Sequence, residues 1–408
     1  MNKLIIASSN LSYREDKLYF NQTALSDIIQ EINTPFYLYS LEIVKNNLVY
    51  FQECAQKVFQ NVSVHYAMKA NSHPKILKKI NDLDCGVDIV SIGEYKLALE
   101  AGIPPNKIVF SGIGKTEEEI EHILSSNNSI KSFNVESMDE LELLQELSKK
   151  YNRKTPFAFR LNPGVNAKTH QHISTGGAKH KFGMTSSEIE MALAQEFSHL
   201  KLVGISIHIG SQLKDFRATE NAINELLEIL RRNEINDIEF IDFGGGLGIS
   251  YGPNDADLTT APDYFIKIKN TIAHYFSGKE LPQILFEPGR FITGNAGILI
   301  TKVIRMKDNG FKNFAILDSG MTELIRPALY DAFHEILPLS PRSTEIDIYD
   351  FVGPICETGD FFAKDRETLK IKKGDLLAIA NCGSYARSMA SNYNAREFAP
   401  EYFLEELS

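Results

Sequence analysis

The sequence predicts an α/β protein, a (β/α)8 TIM barrel followed by a mostly antiparallel β-domain. Three observations lead to this fold class. Short β-rich runs alternate with amphipathic helical segments, a pattern typical of parallel strands joined by right-handed crossovers. Eight such runs occur within about 250 residues, and eight strands close a barrel. After about residue 296 the long helical spacers disappear, and short β-rich segments separated by turn residues remain.

The eight runs and their spacers justify the barrel element by element. The predicted strands fall within residues 62–68, 86–90, 107–112, 130–135, 156–162, 202–210, 238–246 and 283–289. The predicted helices fall at 91–101, 117–125, 137–150, 187–195 and 218–233. The segment 137–150 has apolar residues at helical spacing, so it supports a helix packed on a sheet. A doubly wound open sheet is the alternative fold that this alternation leaves open.

The remaining segments form the predicted β-domain. Residues 297–307, 314–320, 346–354 and 375–385 are β-rich and follow one another without helical spacers. The first thirty or so residues are also β-like and can add a strand to this domain. We therefore predict a barrel at 36–285 and a β-domain at 286–408 that includes a strand from 1–35. The sequence leaves open how the edge of the β-domain is closed after Asn394.

Composition limits the possible functions. A chain of 408 residues is long enough for two domains, and its formal charge of −10, with basic residues dispersed, argues against nucleic acid as a partner. The sequence shows neither a signal peptide, which would indicate secretion, nor an apolar run of about 18 residues, which would indicate a membrane span. The four cysteines contain no CxxC pair, which favours a reducing cytoplasm and argues against a metal site.

A barrel gathers its active site at the carboxyl ends of its strands, and polar or glycine residues end the predicted strands here. These residues are Lys69, Asp88, Arg160, Asn162, His208, Gly210, Ser211, 244–246 and 287–290. Lys69 ends the first strand. A lysine at a barrel rim is often structural, but in a mostly apolar site its pKa falls and it can form a Schiff base with an aldehyde.

A glycine turn after the seventh strand indicates an anion site. Gly245 and Gly246 allow backbone N–H groups to approach an anion closely, and barrels often bind phosphate after strands seven and eight. Gly289 and Arg290 lie in the neighbouring loop, and Ser211 can donate its hydroxyl. A glycine turn alone is usually only a turn, so the prediction depends on both loops together.

Glu287 and His208 complete a chemical pattern. A buried carboxylate is costly unless it is paired, and a protonated pyridine nitrogen is a suitable partner for Glu287. His208 can stack on a flat ring, although a hydrogen-bonded core histidine is an equal alternative. An amine, an anion cradle, an acid and a stacking imidazole together predict pyridoxal 5′-phosphate as the cofactor.

Twelve motifs in order give the chain a resemblance to a known family, the fold-type III pyridoxal-phosphate decarboxylases. The resemblance runs from about Thr34 to Asn394. The motifs are YAMKAN (66–71), VDIVSIGE (87–94), FSGIGKT (110–116), FNVES (133–137), RLNPGV (160–165), THQHISTGGAKHKFGM (169–184), HIGSQ (208–212), GGGLGISY (244–251), EPGR (287–290), RPALYDAFH (326–334), GPICETGD (353–360) and GSYARSMASNYN (383–394).

The resemblance implies a role for each matching residue. It implies catalytic roles for Lys69, His208, Glu287 and Cys356, the last as the group that returns a proton to the α-carbon. The implied cofactor-binding residues are Lys69, Asp88, His208, Ser211, Gly245, Gly246, Glu287, Gly289, Arg290 and Tyr385. The implied substrate-binding residues are Arg290, Arg326, Tyr330, Glu357 and Tyr385.

The activity that the resemblance implies is decarboxylation of meso-2,6-diaminopimelate to L-lysine and carbon dioxide, the last step of lysine biosynthesis. Two arginines can hold the distal carboxylate bidentately, and Glu357 matches the partner of the distal ammonium. In the family, Cys356 and Glu357 reach the active site from the other subunit, so the resemblance implies a homodimer with shared sites. For Cys356 on its own, a small buried hydrophobe is the commoner fate.

Three alternatives remain open from the sequence. One is a decarboxylase of the same fold that acts on ornithine, arginine or carboxynorspermidine. The second is a non-catalytic pyridoxal-phosphate carrier built on the barrel, and the third is a Schiff-base aldolase without cofactor. The chain also departs from the family at GSYA (383–386), where GAYG is usual, and we expect Ala386 to constrain a turn that glycine would leave free.

Overall fold

The computed structural model describes residues 10–29, 31–126, 128–165, 176–177, 180–213, 216–252, 255 and 258–407. The strands are β1 (Leu11–Arg14), β2 (Lys17–Phe20), β3 (Thr23–Ala24), β4 (Phe36–Tyr39), β5 (Val62–Ala67), β6 (Gly86–Ile89), β7 (Ile108–Phe110), β8 (Ser132–Val135), β9 (Thr155–Leu161), β10 (Leu200–Ile207), β11 (Phe240–Asp242), β12 (Gln283–Phe286), β13 (Gly297–Asp308), β14 (Asn313–Leu317), β15 (Ile336–Pro338), β16 (Ile346–Val352), β17 (Phe361–Leu369), β18 (Leu376–Ile379) and β19 (Glu401–Phe403). The α-helices are α1 (Leu25–Ile28), α2 (Leu41–Gln56), α3 (Pro74–Asp82), α4 (Ile92–Glu100), α5 (Glu117–Ser125), α6 (Met138–Lys150), α7 (Ser186–Leu193), α8 (Arg217–Arg232), α9 (Ala261–Ala273), α10 (Arg290–Thr293), α11 (Arg326–Tyr330) and α12 (Leu404–Leu407).

The chain divides into two compact units. The barrel unit consists of 45–248 and 258–289, and the β unit consists of 1–44, 249–257 and 290–408. This division differs from the predicted one at residue 36. Strand β4 hydrogen-bonds along β13, so it belongs to the β unit rather than to the start of the barrel. The short segment 249–257 likewise leaves the barrel in sequence and joins the β unit.

The barrel unit confirms the predicted closed sheet of eight parallel strands. Strands β5 to β12 follow one another around the barrel in chain order, and β12 pairs with β5 to close it. Each of the eight predicted runs overlaps one of these strands. The buried centre includes Val109, Ala158, Val203, Phe240 and Leu285. The Phe240 ring needs the neighbouring Gly204, where an added Cβ would lie 2.5 Å from the ring.

Helix caps fix where the crossover helices begin. Five helices follow a Ser or Thr whose side chain accepts a hydrogen bond from the backbone N–H three residues later, and each such cap contributes roughly 1 kcal/mol. These residues are Ser91, Thr116, Ser137, Thr185 and Thr260. On α6 the predicted apolar stripe buries Leu141, Leu144 and Leu147. The loops between strand ends and these caps hold the candidate site.

The β unit is mostly antiparallel, as predicted. The long strand β13 pairs with β4 and β18 through its first half and with β14 through its second half. Strands β15 and β17, which the sequence pattern did not reveal, extend the sheet at its two ends. The edge that the sequence left open is closed by β19, which pairs in parallel with β4. Strands β1–β3 form a separate small sheet. Within the described ranges no helix is long and apolar enough to cross a membrane.

Candidate active site

The amine of Lys69 lies at the carboxyl end of the barrel. Lys69 is in a single 3-10 turn, Met68–Ala70, that directly follows β5. Its Nζ is 2.6 Å from Oδ2 of Asp88, a fully buried residue of β6, while 32% of the Lys69 side chain is exposed. The second oxygen of Asp88 meets no hydrogen-bond donor in the described part of the chain. The ion pair therefore orients an accessible amine at the open end of the barrel.

Two buried acids lie at the ends of the paired strands β11 and β12. Asp242 ends β11, Glu287 follows β12, and their carboxyl groups share a hydrogen bond. Burial raises the pKa of Asp242 to about 6, and burial with the nearby charges of Asp242 and Asp88 raises the pKa of Glu287 well above its ordinary value. Glu287 Oε1 meets no hydrogen-bond donor among the described residues. A protonated ring nitrogen would supply one and would favour the ionised form of Glu287.

His208 presents a neutral ring to the same cavity. Its Nδ1 accepts a hydrogen bond from the Gly245 N–H over 3.2 Å, so the ring hydrogen is on Nε2. Burial and the charges of Lys69 and Arg160 lower the pKa of His208 well below its ordinary value. The 4.0 Å separation between His208 Nδ1 and Glu287 Oε2 is therefore not an ion pair. A flat neutral imidazole of this kind can stack on an aromatic cofactor.

The glycine turn after β11 has no room for side chains. A Cβ on Gly245 would lie 2.2 Å from the carbonyl oxygen of Glu287, and Gly246 has a φ of +111° that other residues rarely adopt. The Gly246 carbonyl accepts a hydrogen bond from the Leu213 N–H over 2.9 Å, which joins this turn to the loop that carries Ser211. The turn therefore approaches both neighbouring loops closely, as a backbone anion cradle requires.

A buried network that the sequence did not reveal supports Arg160. Its Nη1 is 2.6 Å from Oε1 of Glu136 at the end of β8. Glu136 also accepts hydrogen bonds from the backbone N–H groups of Gly112 and Gly183, 2.8 and 3.0 Å away. One carboxylate thus connects the loops after three strands and holds Arg160 against the cavity.

These groups surround one cavity of about 180 Å³ at the carboxyl ends of the strands. It is lined by Lys69, Val90, Ser111, Gly112, Asn134, Arg160, Phe182, Ser206, Ile207, His208 and Glu287. The residues fit pyridoxal phosphate, because an amine faces an acid that lacks a donor and a glycine turn lies alongside. The structure thus brings together Lys69, Asp88, His208 and Glu287, with the loops of Ser211, Gly245 and Gly246.

The β unit contains a second cluster, built on two buried arginines. Arg290 donates from Nη1 to the Tyr251 hydroxyl over 2.6 Å and lies 4.7 Å from the Tyr385 ring centroid. The Arg326 guanidinium lies 4.6 Å from the Tyr251 ring centroid, and its Nη1 is 2.8 Å from His334 Nε2. Arg326 Nε meets no hydrogen-bond partner among the described residues. The cluster thus holds two cations mainly against aromatic rings.

The tyrosines of this cluster lie close to the arginines in sequence or space. Tyr330 is four residues after Arg326 at the end of the short helix α11. Tyr385 has a φ of +55°, a left-handed conformation that is costly for a bulky residue and that clusters at functional sites. Ala386 has a negative φ of −107°, so its backbone does not adopt the left-handed conformation that favours glycine. The strained position of the GSYA motif is the tyrosine itself.

Cys356 and Glu357 have exposed side chains in the loop between β16 and β17 of the β unit. The loop is nevertheless ordered. The buried carboxylate of Asp360 accepts hydrogen bonds from the N–H groups of Met321 and Ile355, and Asn394 Oδ1 accepts one from the Cys356 N–H. Both predicted residues thus sit on a fixed, solvent-facing loop.

The sequence did not indicate several of the residues that the structure places at these sites. Asp242, Glu136, Tyr251 and His334 were not singled out, although each lies in or beside a recognised motif. Buried acids and histidines give no periodic signal, so only their position at strand ends or motif ends could have indicated them. Residues 169–175 and 178–179 of the segment THQHISTGGAKHKFGM (169–184) lie outside the described residues.

Comparison with known proteins assigns the family. Residues 46–294 match the family described as pyridoxal-dependent decarboxylase, pyridoxal binding domain. The chain is 41% identical to diaminopimelate decarboxylase of Aquifex aeolicus over 97% of this chain and 92% of that one. It is 42% identical to the enzyme of the same name from Bacteroides thetaiotaomicron, over 93% and 98% of the two chains.

Solved structures agree with these matches. Diaminopimelate decarboxylase from Helicobacter pylori complexed with L-lysine aligns with a TM-score of 0.85 at 39% identity, over 93% of this chain and 94% of that one. The M. jannaschii enzyme in co-complex with L-lysine aligns with a TM-score of 0.88 at 35% identity, over 98% and 94%. A lysine/ornithine decarboxylase from Vibrio vulnificus, at 20% identity and a TM-score of 0.77, shares the fold alone.

These matches confirm the predicted family and cofactor, and they favour a decarboxylase over the carrier and the aldolase that the sequence left open. The match spans nearly the whole chain, and the barrel cavity carries the groups that pyridoxal phosphate needs. The chain belongs to the pyridoxal-dependent decarboxylases and, within them, to the family of diaminopimelate decarboxylases.

Proposed function

We propose that the chain decarboxylates meso-2,6-diaminopimelate to L-lysine and carbon dioxide, the last step of lysine biosynthesis. The observation that carries this proposal is the arginine cluster of the β unit. Arg326 is 5% exposed, its contacts to Tyr251 and His334 are with uncharged side chains, and Arg290 lies beside the same tyrosine. A buried cation held in this way calls for an anion from the ligand.

The substrate fits that requirement. Diaminopimelate has a second carboxylate at the end that does not react, and two guanidinium groups can bind it through charge-assisted hydrogen bonds. Ornithine, arginine and carboxynorspermidine have no second carboxylate, since their single carboxylate is the one that reacts. Bound as substrates, they would leave Arg326 buried without an anion, which costs binding free energy. The relatives and the cluster therefore favour diaminopimelate over these alternatives.

We propose that the barrel residues hold the cofactor. Pyridoxal phosphate, when bound, supplies an aldehyde for the substrate amine and a protonated ring that withdraws electrons from the α-carbon. Lys69 would carry the cofactor, oriented by Asp88, while Glu287 keeps the ring nitrogen protonated and His208 packs on the ring face. The turn at Gly245 and Gly246 would bind the phosphate, with Ser211, Gly289, Arg290 and Tyr385 as its further partners.

We assign the remaining roles to the β unit. Arg290, Arg326, Tyr330 and Tyr385 bind the distal end of the substrate, Glu357 pairs with its ammonium, and Cys356 returns a proton to the α-carbon after carbon dioxide leaves. The exposed position of Cys356 and Glu357 on an ordered loop supports delivery to the active site of a second copy of the chain. The working form would be a cytoplasmic homodimer with shared sites.

Carbon dioxide release from separate amino acids tests the proposal. With pyridoxal phosphate added, we expect release from meso-diaminopimelate and release at least about 100-fold slower from ornithine, arginine, lysine and carboxynorspermidine. The variant Arg326→Gln should raise KM for meso-diaminopimelate, with the cofactor still bound. Faster release from ornithine than from meso-diaminopimelate would overturn the assignment of substrate.

A further inference from the structure

We propose that His334 is a positioning residue that determines substrate specificity: it fixes the Arg326 guanidinium and leaves its positive charge uncompensated. This inference rests on the proposed function, because it gives Arg326 a task that only the distal carboxylate of the substrate requires. His334 touches neither substrate nor cofactor in this assignment and acts through Arg326.

The tautomer of His334 follows from the two shortest polar contacts of its ring. The side chain is completely buried, and its Nδ1 is 2.7 Å from the carbonyl oxygen of Ala380. A carbonyl oxygen only accepts, so Nδ1 carries the hydrogen and Nε2 presents its lone pair. That lone pair accepts the hydrogen bond from Arg326 Nη1 over 2.8 Å. His334 is therefore a neutral acceptor, oriented by the backbone and directed at the arginine.

The surroundings keep His334 neutral. Burial lowers its pKa well below the ordinary value, and the charges of Arg326, Arg290 and Arg366 lower it further, against the opposing effect of the Ala380 carbonyl. A protonated ring would also lose the lone pair that Arg326 uses and would place two cations in contact. The hydrogen bond and the absence of charge on His334 thus depend on each other.

A neutral acceptor has a specific advantage over an acid at this position. A carboxylate would hold Arg326 more strongly, but it would cancel the charge that attracts the ligand. The geometry shows how the guanidinium is fixed without an acid. His334 holds one edge through Nη1, the Tyr251 ring covers one face, and Nε is left without a protein partner in the described chain. The arrangement preorganises a charged group and leaves its affinity for an anion intact.

Three substitutions of His334 distinguish its effect on the position of the Arg326 guanidinium from its effect on the charge of that group. In His334→Gln, the amide oxygen can replace Nε2 as acceptor, so KM for meso-diaminopimelate should stay within about 3-fold of wild type. In His334→Asn, the shorter amide can satisfy Ala380 but not Arg326, so KM should rise by ~10- to 100-fold with kcat little changed. In His334→Glu, Arg326 is held but neutralised, so KM should rise at least as much.

Inhibition by L-lysine and by 1,5-diaminopentane shows whether a substitution of His334 affects only the binding of the carboxylate. L-lysine retains the carboxylate of the unreacted end, whereas 1,5-diaminopentane has none. We expect His334→Asn to raise the inhibition constant of L-lysine in parallel with KM and to leave that of 1,5-diaminopentane within about 2-fold of wild type. If His334 had a merely structural role, His334→Asn would raise the inhibition constants of both compounds together. The cofactor absorbance and the melting temperature, measured on the same samples, report the integrity of the barrel.

The outcomes distinguish this inference from the function on which it rests. If Arg326→Gln leaves KM for meso-diaminopimelate unchanged, the carboxylate site of the proposed function is wrong. If Arg326→Gln raises KM while His334→Asn does not, only the role of His334 is wrong. Wild-type KM in His334→Glu would overturn the argument from charge. Should His334→Asn fail to fold, the comparison of His334→Gln with His334→Glu still decides it.

Discussion

Asp242 and Glu287, which end neighbouring strands of the barrel, share a hydrogen bond between two buried carboxyl groups. Two negative charges this close and this buried cannot both persist, so the pair retains a proton that the unfolded chain would release. A cationic group arriving at Glu287 changes this balance in favour of the ionised pair. The acid pair therefore links the binding of a protonated ring to the loss of a proton from these two carboxyl groups.

The first prediction concerns the stability of the cofactor-free protein. Because the pKa of Asp242 is raised to about 6, its contribution is fully present below the unfolded value and is lost as pH rises through the folded value. We expect the free energy of unfolding to fall between about pH 4 and 7, and Asp242→Asn to remove on the order of 1–3 kcal/mol of that fall. Urea denaturation across this range measures it.

The exposed Asp139 on α6 supplies the control for that experiment. Asp139→Asn should follow the wild-type pH dependence. An Asp242→Asn curve parallel to wild type would show that the acid pair does not hold a shared proton in the folded protein.

The second prediction concerns the glycine turn. In Gly245→Ala, the new Cβ would lie 2.2 Å from the carbonyl oxygen of Glu287, so the turn and the strand end must move apart. We expect pyridoxal phosphate to bind at least about 10-fold more weakly, because a shift of about 1 Å displaces both the cradle and the acid. Titration of the cofactor-free protein, followed by absorbance, measures the affinity.

Gly114→Ala is the matched control, since a Cβ there meets nothing within 4 Å. Its affinity should equal that of wild type. Unchanged affinity in Gly245→Ala would exclude the turn from the phosphate site.

The third prediction identifies the lysine that carries the cofactor. Borohydride reduction of the loaded protein, followed by peptide mapping, should label Lys69. Lys115, which is buried, should stay unlabelled because its three N–H donors are engaged by Gly112, Asn134 and Glu140. Lys69→Ala should abolish the label. A label at any other position would refute the assignment of Lys69.

The fourth prediction concerns shared active sites. Lys69→Ala and Cys356→Ala should each be nearly inactive as pure proteins, since one lacks the amine and the other the proton donor. If the sites are shared in a dimer, mixing equal amounts under exchange conditions should restore up to about a quarter of wild-type activity, because half the dimers gain one intact site. Sedimentation of the mixture checks the assembly, and a mixture with no regained activity would contradict shared sites.

The sequence predicted the barrel strands well for a physical reason. Strands buried on both faces have continuous apolar runs, and several of the helices that follow them begin after a capping residue such as Thr116 or Ser137. The strands of the β unit carry weaker signals. Strand β17, Phe361–Leu369, contains the charged run AKDRET, and β19 has three residues, so neither shows a clear alternation.

The residues of the candidate site also differ in how far the sequence could predict them. Lys69 and Glu287 were predictable because the chemistry of an amine and an acid at strand ends can be stated from residue types. The partners that orient them were not, because Asp242 and His334 act through contacts with residues distant in sequence. His334 reaches Ala380, 46 residues away, and only folding brings the two together.

The pairing of β4 imposes an order on folding during synthesis. The strand lies between β13 and β19, and the Tyr39 hydroxyl bonds Glu401, 362 residues further along the chain. As the polypeptide leaves the ribosome, β4 emerges before β13 and β19 and cannot complete its pairing until both have been made. The barrel unit depends on shorter separations and can form during that interval. The nascent chain must therefore keep an apolar strand from wrong partners until these distant strands are available, a demand on chaperones that the finished enzyme no longer reveals.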